Sequence, residues 1–300
     1  MHNPLSVVRR AIGETLRSRV AGPDADAKAA LIWDSPGERW HARDSEIWHI
    51  NGDAAMYAGG IRSLLLQALH PAAMAGVAGH SGYRSDPWGR LQRTSEFLAM
   101  TTYGPVPMAE DMIAKIRRIH ERVRGKSDDG TPYRASDPHL LEWVHLAETE
   151  SFLTGFHHFG DRKLTQAQAD AYVAQAAPVG EMLGAINLPR TEDELHAALE
   201  AYTPELRASE AALDTVSFLV RTPPVPWIAR PGYWMLVAGA ISTLPVWARR
   251  ELNLPTSKWF DRLLGRPLGR FATTVVRWAL TSPGRVQSGT YSTPAEQDAS

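Results

Sequence analysis

His70, His80, His120 and His145 fall within the stretch from Gly59 to His145, among apolar segments and around the cluster Arg90-Leu-Gln-Arg93-Thr94. A neutral imidazole offers a lone pair to a metal and titrates near neutral pH, so histidines set in an apolar frame are candidates for ligation or proton transfer. A few convergent polar groups in such a frame are also what a cofactor site needs.

His120 belongs to the run Ile113, Ile116, His120, Val123, which shares one helical face and turns the imidazole toward the core. On the residues alone, a core histidine satisfied by its neighbours is the commoner outcome. Arg90 and Thr94 lie one turn apart on a shared face. That pair suits an anionic group such as a propionate, and equally an arginine bracing a buried carboxylate. His145 stands one turn after Leu141 and one before Glu148 and Thr149, placed either for proton delivery or for a hydrogen bond to Glu148. His70 precedes Pro71 at a helix break, and Gly79-His80-Ser81-Gly82 reads as a tight turn. Either histidine can face a distal pocket, with turn capping the expected role of His80.

Other chemistries lack their residues. The chain has no cysteine, which removes disulfides, thiolate-ligated haem, iron–sulfur clusters and thiol nucleophiles. It has none of the glycine-rich phosphate loops, no Gly-x-Ser-x-Gly elbow and no His-Glu-x-x-His helix. With 32 basic against 33 acidic residues, no net field draws it to nucleic acid, which is not expected as a partner. The start, Met1 to Val20, has no apolar core of a secretory signal, so a cytoplasmic location is expected.

The elements positioning these residues read as helices. Apolar positions at i, i+3, i+4 and i+7 recur from Asp53 to Trp278. The periodicity predicts helices over Asn3–Arg19, Asp53–Leu69, Pro71–Gly79, Pro87–Thr102, Pro107–Arg124, Pro138–Phe159, Thr165–Leu183, Thr191–Ala201, Pro204–Val220, Pro231–Glu251 and Leu268–Leu280. Caps mark four starts: Asp86 before Pro87, Asp137 before Pro138, Thr165 three residues before Gln168, and Thr191 three before Glu194. Lys126 to Pro132 reads as a surface loop, and Arg221 to Trp227 as a proline-stiffened connector. The apolar run Tyr233 to Trp247 is too short for a transmembrane span and is interrupted by Pro245; it is expected as a core helix, with peripheral membrane contact the alternative. The expected fold is all-α, a single irregular, globin-like multi-helix bundle over residues 1–281, followed by a disordered tail over 282–300.

The order of these motifs resembles a known family. A Leu-His-Pro break, a His-Ser turn, Arg-Leu-x-Arg-Thr, Ile-His-x-x-Val-x-Gly and Asp-Pro-x-Leu-x-x-Trp-Val-His succeed one another here as in the rubber oxygenase (latex clearing protein) and mycophenolic-acid-B-type oxygenases. The resemblance implies haem b, with dioxygen and an apolar isoprenoid- or lipid-like molecule as substrates. It implies that His120, 26 residues beyond Thr94, is the iron ligand. Arg90, Arg93 and Thr94 then contact the cofactor, and Arg90, Thr94 and His145 serve catalysis. Where the rubber oxygenase carries a lysine as second axial ligand this chain has Arg93, whose protonated guanidinium has no lone pair for iron. The alternative is a non-catalytic haem- or lipid-binding protein on the same fold.

Overall fold

The computed structural model describes residues 4–80 and 84–280. The tail expected over 282–300, and Ser81 to Gly82 of the expected turn, lie outside the described residues.

Helices α1 (Pro4–Ala21) to α15 (Arg266–Leu280) make an all-α fold. The first half comprises α2 (Ala25–Trp33), α3 (Glu46–Gly52), α4 (Ala55–Gln67), α5 (Pro71–His80), α6 (Pro87–Tyr103) and α7 (Val106–His120). It is followed by α8 (Pro138–Phe159), α9 (Gln166–Leu183), α10 (Glu192–Ala201), α11 (Glu210–Val220), α12 (Arg230–Thr243), α13 (Val246–Glu251) and the short α14 (Lys258–Phe260). Strands β1 (Arg124–Lys126) and β2 (Pro132–Arg134) pair antiparallel, the sole sheet among the described residues. The loop expected from Lys126 to Pro132 is the tip of this hairpin.

The caps that set helix starts are formed as chemistry requires. Asp86 accepts from the Gly89 amide at 2.9 Å and Asp137 from the His139 amide at 3.0 Å. Thr165 with Gln168, and Thr191 with Glu194, close reciprocal capping boxes. Each ties down donors that the first turn of a helix leaves without partners.

The core is centred on α8, which buries Trp143, Leu146, Leu153 and Phe156 against Leu65, Leu66 and Leu69 of the α4 region. A Cβ on Gly155 of α8 would stand 3.1 Å from the Cα of Gly59 in α4, so glycine lets these two backbones approach closely. The run Tyr233 to Trp247 is a core helix up to Thr243: α12 buries Leu236, Val237 and Ile241 between α4 and α15. A smaller cluster joins Ile32, Met100, Tyr103 and Ala109, with the ring of Tyr103 5.1 Å from Trp33 and 4.9 Å from Trp48. No helix among the described residues is long and apolar enough to cross a membrane.

Three expectations are corrected. The helix expected over Pro204–Val220 is a single 3-10 turn, Thr203–Glu205, followed by α11, because the Ser209 side chain caps the Ala212 amide and restarts the chain there. The helix expected over Pro231–Glu251 breaks between Thr243 and Val246, where Pro245 has no amide hydrogen to continue the ladder. Helices α2 and α3 lie where none was expected.

Candidate active site

A small cavity of about 50 Å³ opens between α3, α6, α8 and α9. Its apolar wall includes Phe97 and Leu98 from α6 and Phe152 from α8, and its polar wall includes His145, Glu148 and Thr149 from α8. Asn51 of α3 and Tyr172 of α9 complete it. Tyr172 Oη donates to Asn51 Oδ1 at 3.5 Å, and Asn51 Nδ2 donates to Thr102 Oγ1 at 2.9 Å, so one hydrogen-bonded chain crosses three helices.

His145 sits here because α9 presents Gly180: a Cβ at that position would lie 2.7 Å from His145 Nδ1. His145 Nε2 is 3.3 Å from Thr149 Oγ1, one turn on, so its hydrogen-bond partner is Thr149 rather than Glu148. Both His145 and Glu148 keep some surface open to the cavity while protein encloses the rest. Burial, with a lesser contribution from Arg190, lowers the His145 pKa to about 4 and keeps the ring neutral. Burial raises the Glu148 carboxyl to about 7. A neutral imidazole and a carboxyl that exchanges its proton near pH 7 therefore face one chamber, an arrangement suited to general acid–base work. Burial, and Glu148 after it, raises the Tyr172 hydroxyl well above its ordinary value, so it stays a donor.

Glu148 also makes stability depend on pH in a definite sense. Its folded pKa lies above the unfolded value, so its contribution is present at low pH and is lost as pH rises from about 4.5 to about 7. Between about pH 4 and 6.5 the depressed His145 produces the opposite slope. Glu148→Gln removes only the first. Relative to wild type, its unfolding free energy should rise by on the order of 2–3 kcal/mol from pH 4.5 to 7, measured by urea denaturation. A difference that stays flat with pH would show an ordinary carboxyl.

The remaining sequence candidates stand elsewhere. Arg90, Thr94, Phe97 and Thr101 follow one another along one face of α6, so the face that lines the cavity continues outward to Arg90 and Thr94. Arg90 is half-buried and Thr94 exposed. Arg93 is exposed and ion-pairs with Asp86 Oδ2 at 3.1 Å. His120 does not line the cavity. It closes the C-terminal end of α7, half-buried, with Nδ1 enclosed and without a hydrogen-bond partner, and burial lowers its pKa. His80 ends α5, its Nδ1 3.4 Å from Tyr133 Oη, and His70 lies at the α4–α5 break away from the cavity.

The profile of the catalytic domain of the ER-bound oxygenase mpaB/B' and rubber oxygenase family matches residues 48–278, most of the chain. The chain belongs to this family. The match begins within α3 and ends within α15, so it takes in every helix that borders the cavity. It is an oxygenase catalytic domain, and dioxygen and an organic substrate follow as reactants. No curated protein and no solved structure matches the chain.

Of the cavity residues, sequence reasoning singled out His145 and passed over Asn51, Glu148 as a proton carrier, and Tyr172. Glu148 carried a signal, since it lies one turn from His145 on the same face. Asn51 and Tyr172 carried none: Asn51 comes from the short α3, which periodicity does not predict, and Tyr172 from α9, whose pattern reads as plain core.

Proposed function

We propose that this oxygenase uses haem b and dioxygen to oxidise an apolar, isoprenoid- or lipid-like substrate, with His120 as the protein ligand to iron. The observation that carries the reading is the state of His120. Its imidazole has an enclosed nitrogen with no hydrogen-bond partner and a pKa lowered by burial, so the neutral, ligating form persists to below neutral pH. Most core histidines have both nitrogens satisfied or exposed; His41 Nε2 and both His70 nitrogens share the unpartnered state, and the order of the family's motifs is what selects His120 among them. When bound, haem supplies the iron at which dioxygen is activated.

The chain's own residues take the remaining roles. Arg90 and Thr94, one turn apart, offer a fixed cation and a hydroxyl to a propionate or to a polar oxygen. Arg93 adds positive charge at the same helix end but no lone pair, and Asp86 already engages it, so the cluster contributes no second axial ligand. The 50 Å³ chamber is too small for a macrocycle and suits water or a diatomic gas. There His145 and Glu148 hold and exchange protons, while Phe97, Leu98 and Phe152 keep the surroundings apolar.

The test is the absorption spectrum of protein purified from haem-replete cells, recorded oxidised, reduced, and reduced with carbon monoxide. A Soret band that moves with carbon monoxide is expected. A band that does not move would support the non-catalytic haem protein, and no band after haem is added would overturn the haem reading.

A further inference from the structure

We propose that His70, His139 and Glu205 form a second, separate site, which binds a divalent transition-metal ion of the Zn²⁺ type. The three come from distant parts of the chain: the break between α4 and α5, the first turn of α8, and the 3-10 turn after α10. Their donor atoms lie within 4.8 Å of one another. None of them lines the His145 cavity, and the proposal does not depend on haem.

Distances fit the ion. Tetrahedral coordination with metal–ligand bonds of about 2.0–2.2 Å sets neighbouring donors about 3.3–3.6 Å apart. His139 Nε2 is 3.0 Å from both carboxylate oxygens of Glu205, and His70 Nε2 is 3.6 Å from Glu205 Oε2, so the observed spacings bracket that edge.

The protonation pattern points the same way. Tyr202 Oη lies 2.9 Å from the His139 carbonyl oxygen, to which it donates, and 3.0 Å from His139 Nδ1. The phenol oxygen therefore accepts from Nδ1–H, which leaves the lone pair of a neutral ring on Nε2, the atom facing Glu205. A lone pair and a carboxylate at that separation need a cation between them, either a proton or a metal. His70 distinguishes the two. It is 8% exposed, and neither ring nitrogen has a hydrogen-bond partner. One proton between His139 and Glu205 leaves His70 unsatisfied, whereas one metal ion takes all three donors.

The supporting contacts are those of a held site. Tyr202 stacks on the His139 ring at 4.5 Å between centroids, and the Trp143 ring stands 6.1 Å from that of His70. Two residues past Glu205, the Arg207 amide donates to Leu69 O at 2.8 Å, which fastens the turn carrying Glu205 to the residue preceding His70. His139 and Glu205 are both about half exposed, so one side of the site is open to solvent. Two histidines, one carboxylate and an open position match the ligand sets of catalytic zinc and of non-haem iron, and with no thiolate present the site selects for nitrogen and oxygen chemistry.

The experiment uses the full chain without a polyhistidine tag, stripped with a chelator, desalted and titrated with Zn²⁺ by calorimetry, with the thermal midpoint followed in parallel. One equivalent should bind and raise the midpoint. His139→Ala and Glu205→Gln, both at exposed positions and therefore tolerated by the fold, should each weaken binding more than tenfold and abolish the rise. Tyr202→Phe, which removes only the group orienting His139, should weaken it about tenfold. Binding well below one equivalent, or one equivalent bound equally tightly by wild type and both ligand variants, would overturn the proposal.

Discussion

Arg62→Ala should lower the unfolding free energy by about 3–5 kcal/mol, the loss expected when one partner of a buried ion pair is removed. Arg62 is 1% exposed on α4, and its guanidinium is fully engaged. Both terminal nitrogens meet the Glu150 carboxylate of α8, one of them at 2.8 Å, while Ser151 Oγ accepts at 2.7 Å and the Thr243 carbonyl accepts from Nε at 3.2 Å. Thr154 donates to the same carboxylate at 2.8 Å. The pair thus pins α4, α8 and the end of α12 at one point, and α4 and α8 are the most extensively packed helices of the fold. Removing the arginine strands Glu150 in a buried position. Arg62→Met combined with Glu150→Leu leaves no charge behind and should cost much less than the sum of the single variants, a non-additivity that urea denaturation of all four proteins measures directly. Single variants within 1 kcal/mol of wild type would mean that water already reaches the pair.

The same ion pair shows where sequence reading stops. Helix periodicity and capping depend on residues three or four apart, and there the reading succeeds: Asp86, Asp137, Thr165 and Thr191 each sit where their caps form. Pro204 misled because proline is at home both in a first helical turn and in a 3-10 turn, and only the cap at Ser209 separates the two. The short α2 and α3 carry weak periodicity and are held by the packing of Trp33 and Trp48 on Tyr103, a residue of α6. The site divides along the same line. His145 and Glu148 are legible together as one face of one helix. By contrast Asn51, Tyr172, and the meeting of His70 with His139 and Glu205 depend on tertiary placement, for which a single sequence has no period. The ordered motifs from the Leu-His-Pro break to Trp-Val-His pointed to the family because they register that placement indirectly.

His120→Ala should purify folded and with at least tenfold less haem per chain than wild type. The two halves of that outcome rest on different observations. Folding should survive because His120 is the last residue of α7, half-buried, and its enclosed Nδ1 makes no hydrogen bond whose loss could destabilise the chain. Truncation removes a polar atom that is already unsatisfied, so far-ultraviolet circular dichroism and the urea midpoint should change little. Haem retention should fail because a single protein–iron bond is the directed contact that the remaining apolar and ionic contacts cannot replace, and Arg93 has no lone pair to take its place. Free imidazole added to the variant should restore part of the Soret absorbance, a rescue that general destabilisation would not show. His145→Ala provides the contrast: it empties one wall of a chamber too small for haem, so the cofactor should remain while turnover falls. Equal haem content in wild type and His120→Ala would remove His120 as the ligand and require iron to be held by another histidine.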